Sequence, residues 1–167
     1  MNQTIEPVTE IQQVLLVAAL AKEIWNQHYV SIVGQEQVDY ILEKSQSADA
    51  IQAQIASGYQ YYLALIDDVP MGYLGLVPNE PNGKLMLSKI YVRDLARGTG
   101  IGTTLLAFTK KQASAIGAKA VWLTVNRNNQ PSIAWYKRKG FVVTDEVKTD
   151  IGSGFYMDDY IMEWAVG

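Results

Sequence analysis

Ser88-Lys89-Ile90-Tyr91-Val92-Arg93-Asp94-Leu95-Ala96-Arg97-Gly98-Thr99-Gly100-Ile101-Gly102 is the stretch on which the fold turns. Up to Val92 it has the apolar content of a strand. After Val92 the apolar positions Ile101, Leu105, Leu106, Phe108, Ala113 and Ile116 recur at helical spacing, with Gly117 as the stop. Gly98, Gly100 and Gly102 fall on alternate positions between strand and helix. A loop of this kind exposes backbone N–H groups at the positive end of a helix dipole, which suits a phosphate. The glycines alone leave an ordinary tight loop equally open.

Working outward, Lys84 to Val92 reads as one strand and Ala120 to Val125 as the next, with the helix between them. That order implies parallel pairing through a right-handed crossover, while the remaining strands pair antiparallel. Asn129-Gln130-Pro131 opens another helix, with an Asn cap and an early Pro, that closes at Gly140. Phe141 to Lys148 and Phe155 to Trp164 are the last strands. On the N-terminal side, Tyr59 to Ile66 and Met71 to Val77 are apolar on both faces and flank Asp67-Asp68-Val69-Pro70, a central hairpin. Pro78 to Gly83 is a polar turn.

The chain starts with a short strand, Thr4 to Val8. Thr9 and Gln12 then form a predicted capping box for a first helix, whose buried stripe is Ile11, Val14, Ala18, Ala21, Trp25 and His28. Gly34 resets the chain, Val38, Ile41 and Leu42 mark a second helix, and Ser47 caps a third that stops at Gly58. No repeat, low-complexity tract or linker interrupts the 167 residues, which suit a single domain, 1–167.

Composition narrows the function. A net charge of -3 argues against nucleic acid as a partner, because counterion displacement needs an electropositive face. Zero cysteines and one histidine leave no disulfide framework, thiolate metal site or cysteine nucleophile, so no metal and a cytoplasmic location are expected. The apolar run Val14 to Ala21 is too short for a membrane span, and Glu6 and Glu10 precede it without Lys or Arg, unlike a signal peptide.

Two nucleotide patterns fail on spacing. A P-loop needs Lys directly after its last glycine, where Thr103-Thr104 follow Gly102, and a dinucleotide fingerprint needs glycine at 103 with an acidic residue some twenty positions on. Instead, Arg97-x-x-Gly100-x-Gly102 after Ser88 to Val92 resembles the Arg/Gln-x-x-Gly-x-Gly/Ala signature of GCN5-related N-acetyltransferases (GNAT). Leu123-Thr124-Val125, then Asn129, Ser132 and Trp135-Tyr136-Lys137-Arg138-Lys139-Gly140-Phe141, is similar to a second block of that family.

The resemblance implies a mixed α/β fold: a central, mostly antiparallel sheet of about seven strands flanked by helices, with a V-shaped splay between the fourth and fifth. It implies a transferase using acetyl-coenzyme A as co-substrate. By the same resemblance, the backbone of Ile90, Tyr91 and Val92 would meet the acetyl and pantetheine arm. Arg97, Gly98, Thr99, Gly100, Ile101, Gly102 and Thr103 would hold the pyrophosphate, and Asn129 and Ser132 belong to the same coenzyme site. Lys137 and Arg138 would either meet outer phosphate charge or form a plain solvated basic face.

Tyr136 is the leading catalytic residue. Expelling a thiolate is eased by a phenol that donates a proton or hydrogen bond to the sulfur, although a Tyr on a helix's inner face also serves simply as packing. The base is not assigned: Met86 stands where many family members carry Glu, His28 is titratable but sits at the end of an apolar stripe, and Glu80, Asp159 or a water chain are alternatives.

Trp25, His28, Tyr29, Gln37 and Tyr40 fall where the family builds its acceptor pocket, and their aromatic walls suit an alkyl amine. Asp158-Asp159 would either attract an ammonium group or solvate a strand edge. The expected acceptor is a small-molecule amine, polyamine-like. A protein or peptide acceptor and a non-catalytic coenzyme-binding module are the alternatives. Tyr160 to Trp164 is apolar enough to pair within its own sheet or across the two-fold interface of a homodimer.

Overall fold

The architecture was read from a computed structural model that describes residues 2–167. The elements run β1 (Gln3–Pro7), α1 (Ile11–His28), α2 (Val30–Val33), α3 (Gln35–Ser45), α4 (Ala48–Ala56), β2 (Gln60–Ile66), β3 (Val69–Pro78) and β4 (Lys84–Val92). A single 3-10 turn, Asp94–Ala96, precedes α5 (Ile101–Ala115), β5 (Ala120–Asn126), α6 (Gln130–Arg138), β6 (Val142–Gly152) and β7 (Phe155–Ala165).

The chain groups into two units. The first comprises residues up to Pro78 with Leu87–Thr109, and the second Asn79–Met86 with Lys110–Gly167. In the first, β1 pairs antiparallel with β2 and β2 with β3, and β3 neighbours β4. In the second, the start of β4 pairs parallel with β5 at Lys84–Ala120, Leu85–Val121 and Met86–Trp122, and β7 lies antiparallel between β5 and β6. The hydrogen-bonded order is therefore β1-β2-β3-β4-β5-β7-β6, a seven-stranded mixed sheet with one parallel pair. The crossover through α5 requires that parallel pair, since a helix returns the chain to the same end of the sheet.

The central hairpin is tighter than its sequence reads. Its turn is Asp67-Asp68 alone, both at positive φ (50° and 67°), the backbone twist that two-residue hairpins favour. Val69 and Pro70 belong to β3 instead. Leu63, Ala64, Tyr73, Leu74 and Leu76 are buried, as expected of strands apolar on both faces.

Other local readings shift. The capping box sits one residue later, with Glu10 as N-cap and the Gln13 side chain accepting from the Glu10 N–H at 3.0 Å, in place of Thr9 and Gln12. The buried stripe of α1 is rotated accordingly: Val14, Val17, Leu20, Ala21, Ile24 and Trp25 face inward while Ile11 is exposed. A three-and-four spacing fits several adjacent faces of a helix rich in apolar residues, and the packing partners choose among them. Ile116, expected to face inward, is exposed just past the end of α5, whereas Thr109, which the apolar pattern leaves out, is buried. Thr109 tolerates this because its hydroxyl donates to the Leu105 carbonyl at 3.0 Å. The Ser47 cap holds as read, accepting from the Ala50 N–H at 3.2 Å. The four-residue α2 is missing from the sequence reading; it is too short to leave a periodic signature.

The last strand needs no partner chain to satisfy its backbone, since β5 and β6 occupy its two edges. β6 is the strand with polar, exposed faces, carrying Asp145, Glu146, Lys148 and Asp150 along the edge of the sheet, where charge discourages further pairing.

Candidate active site

In the first unit, β4 leads through the 3-10 turn into the glycine loop. Helix α5 starts at Ile101, so Ile101, Gly102 and Thr103 are its first turn and the true loop is 97–100. Gly98 and Gly100 adopt φ of 79° and 81°, a left-handed backbone that strains any other residue. Nothing lies within 4 Å of where a Cβ would stand on either. The loop is thus shaped by glycine yet open above, with the orphan N–H groups of a 15-residue helix just beyond it. That combination fits an anionic ligand such as a pyrophosphate.

The loop is braced from β1. Gln3 donates from Nε2 to the Thr99 carbonyl at 2.8 Å and accepts at Oε1 from the Thr104 hydroxyl at 2.6 Å, so one amide joins the loop to the first turn of α5. The Thr99 hydroxyl donates to the Ala96 carbonyl at 2.5 Å. Sequence reasoning missed Gln3, and no local pattern marks it.

Arg97 meets its own acidic neighbour. Its Nε lies 3.1 Å from Asp94 Oδ1, and its Nη2 lies 3.0 Å from His28 Nδ1 and 2.9 Å from His28 Nε2. His28 Nε2 is 2.9 Å from the same Asp94 oxygen. The guanidinium thus stands against both ring nitrogens, and Nε2 faces Asp94 and Arg97 together. Burial and the Arg97 cation lower the His28 pKa, against a smaller upward pull from Asp94. His28 is thereby tied to Asp94 and Arg97 at the mouth of the glycine loop.

Trp25 and Tyr29 are stacked with centroids 4.2 Å apart, and Tyr91 meets them edge-on at 5.6 and 5.9 Å. Trp25 and Tyr29, expected beside the acceptor, and Tyr91, expected beside the coenzyme, thus share one aromatic cluster, which Tyr73 extends at 5.5 Å from Tyr91. Trp25 is buried, so its ring supports the cluster from inside. Gln37 and Tyr40 are half-buried on α3. The β4 backbone here runs close to β3: a Cβ on Gly72 would meet the Tyr91 carbonyl oxygen at 2.6 Å.

Beside that cluster Lys89 is buried on β4. It donates from Nζ to the Ser45 carbonyl and to Gln54 Oε1, both at 3.1 Å, and lies 5.2 Å from the Tyr61 ring centre. Burial pulls its pKa down to about 7. A single charge within the apolar run Leu85 to Val92 was the sequence signal that went unread.

In the second unit, Asn129 is the N-cap residue of α6, but its side chain makes no cap bond. Its backbone carbonyl accepts from the Ile133 N–H at 3.1 Å, and Ser132 is half-buried. Tyr136 is buried on the inner face of α6, with its ring 5.5 Å from Phe141. Lys137 and Arg138 are exposed in the last turn. Met86 pairs with Trp122 in the parallel ladder, and the Glu80 carbonyl accepts from the Trp122 indole.

Asp158 and Asp159 do not act as a pair, because successive strand residues point to opposite faces. Asp158 lies 3.0 Å from Arg127 Nε, whereas Asp159 is buried. Burial, helped by Asp158, raises the Asp159 pKa to about 6. Since β7 is internal to the sheet, the expectation that these residues solvate a strand edge fails. No group of His, Cys, Asp and Glu that could hold a metal occurs among the described residues. No helix there is long and apolar enough to cross a membrane.

The chain resembles known proteins in sequence and in fold. An uncharacterized N-acetyltransferase of Mycobacterium tuberculosis is 30% identical over 92 residues, which cover 55% of this chain and 58% of that protein. PaiA N-acetyltransferase from Thermoplasma acidophilum, solved in complex with coenzyme A, superposes with a TM-score of 0.81 at 23% identity over 99% of each chain. A GCN5-related N-acetyltransferase from Rhodopseudomonas palustris gives a TM-score of 0.82 at 18% identity, over 99% of this chain and 96% of that one. The profile of the acetyltransferase (GNAT) family matches residues 19–141, a span holding β4, the glycine loop and α6, and the chain belongs to that family.

Proposed function

We propose that this chain, as one N-acetyltransferase domain, transfers the acetyl group of acetyl-coenzyme A to a primary amine of a small molecule, polyamine-like in chemistry. The observation that carries the reading is the open, left-handed glycine loop at 97–100, which runs from β4 into the first turn of α5 and is braced by Gln3. Family membership and the coenzyme A bound by the Thermoplasma protein of the same fold support it.

When bound, acetyl-coenzyme A supplies a thioester carbonyl open to attack by an amine. Gly98 to Thr103 would hold the pyrophosphate with backbone N–H groups, assisted by the Arg97 guanidinium. The backbone of Ile90, Tyr91 and Val92 would orient the acetyl and pantetheine arm, and Asn129 and Ser132 would hydrogen-bond the pantetheine. Tyr136 would donate a proton from its hydroxyl to the departing sulfur. The cluster of Trp25, Tyr29 and Tyr91 favours an alkyl or cationic amine over a peptide backbone, since aromatic faces attract ammonium groups. The absence of cysteine in the sequence supports a reducing, cytoplasmic setting.

The test is consumption of acetyl-coenzyme A against a panel of amines, antibiotics and peptides. Transfer to spermidine-like amines is expected. Transfer to peptide N-termini alone would overturn the small-molecule reading, and coenzyme binding without turnover on any acceptor would overturn the enzymatic one. Tyr136→Phe should lower kcat by about ten-fold to 10³-fold with coenzyme affinity nearly unchanged, and wild-type turnover would remove Tyr136 from the mechanism.

A further inference from the structure

In the second unit, Asp159 is a buried carboxylate to which the chain offers no partner. The residue keeps 5% of its surface, and its Oδ1 is buried without a hydrogen bond. A carboxylate so placed costs stability unless something brings it a donor or a positive charge. Neither cross-strand neighbour does. Asn126, its partner on β5, uses its side-chain oxygen to accept from the Asn128 N–H at 2.9 Å, and its partner on β6 is Val147. Arg127, the residue after Asn126, turns to the Asp158 face of β7, 3.0 Å from Asp158, 3.2 Å from Glu146 and 5.0 Å from the Tyr160 ring centre. The place is also open at one end. The β5–β7 ladder ends at the pair Asn126–Asp159, whereas the β6–β7 ladder runs on to Phe155. There the chain turns into α6, and the Asn129 N–H donates to the Asn126 carbonyl at 2.9 Å. Asp159 thus stands beside the turn that leads to Asn129, Ser132 and Tyr136.

We propose that Asp159 anchors a second ammonium group of the acceptor, the one that is not acetylated, so that the acceptor is a diamine or longer polyamine and not a monoamine. The inference rests on the proposed small-amine acetyltransferase. An ammonium held by a carboxylate stays protonated and has no lone pair with which to attack a thioester, so the anchored nitrogen is not the reacting one. The carbon chain between the two nitrogens then becomes a determinant of specificity. A cation is favoured here over the neutral amide N–H groups of the pantetheine arm, because Asp158 adds a second negative charge to the field at Asp159. The coenzyme's phosphates are repelled by the same two charges. Burial and Asp158 push the Asp159 carboxyl up to about 6, which still leaves it mostly ionised at neutral pH.

The full chain and its Asp159→Asn variant are compared with putrescine, spermidine and butylamine as acceptors. In wild type, kcat/KM should favour the two polyamines over butylamine by at least about ten-fold, and in Asp159→Asn that preference should collapse toward unity. The amide keeps the volume of the carboxylate and removes a buried charge, so the variant retains the fold, which its far-UV spectrum checks. Calorimetry with coenzyme A present should show spermidine binding at least about ten-fold more tightly to wild type than to the variant. Such binding without turnover on any amine would overturn the transferase and leave the anchor standing. Turnover with equal preference for putrescine and butylamine, or an undiminished preference in Asp159→Asn, would overturn the anchor and leave the transferase standing. If the variant loses coenzyme A affinity and keeps the polyamine preference, Asp159 belongs to the coenzyme and the anchor is wrong. Neither binding nor turnover would overturn both.

Discussion

Lys89 and Asp159 are the residues whose burial has the clearest cost. For Lys89, the folded pKa of about 7 lies below the ordinary 10.5, so the unfolded chain binds more protons between those values. Stability from this group is therefore fully present above the unfolded pKa and is lost as pH falls toward 7. In thermal melts, wild type should gain on Lys89→Met as pH rises through that window, and parallel curves would refute the buried titration. Asp159 has the opposite sign. Its folded pKa of about 6 exceeds the ordinary 3.8, so its contribution is present at acid pH and lost as pH rises through 6. Asp159→Asn should then be more stable than wild type at pH 8 by about 1–3 kcal/mol, measured by urea unfolding, with the gain disappearing near pH 4.

The loop between β4 and α5 depends on a residue far from it in sequence. Gln3 spans the Thr99 carbonyl and the Thr104 hydroxyl, so Gln3→Ala removes both bonds while leaving every loop residue in place. Coenzyme A affinity by calorimetry should fall by about three- to thirty-fold, on the scale of one or two ordinary hydrogen bonds, with the far-UV spectrum unchanged. An unaltered affinity would mean that the glycines hold the loop without help. Among the strands, β4 does more than its apolar pattern states: Leu85 and Leu87 fill the core, Lys89 reaches α3 and α4, and Tyr91 joins the aromatic cluster. Gly72 permits this, because no side chain fits between its backbone and the Tyr91 carbonyl.

Across the molecule, strand position sets how firmly each segment is held. β7 is paired on both edges and contains the fully buried Met162, whereas β6 has one paired edge and mostly exposed residues. Amide hydrogen exchange should accordingly be slowest in β7 and much faster along the free edge of β6. Equal protection in the two strands would point to a partner covering that edge.

The order of elements apart from α2, the parallel β4–β5 pair and the glycine loop were legible in the sequence, because periodicity, turn chemistry and crossover geometry are local or follow from chain order. The sequence also singled out Tyr136, Asn129 and the Trp25–Tyr29 pair as residues to examine. It did not determine which face of α1 and α5 turned inward, since helices rich in apolar residues present several equivalent stripes until packing selects one. Nor did it reveal that Asp158 and Asp159 part company, or that Gln3, Asp94 and Lys89 matter. Gln3 lies 101 residues from Thr104, Lys89 lies 44 from Ser45, and Arg97 lies 69 from His28. Bonds across such separations leave no spacing to read, and only the folded backbone brings the partners within reach.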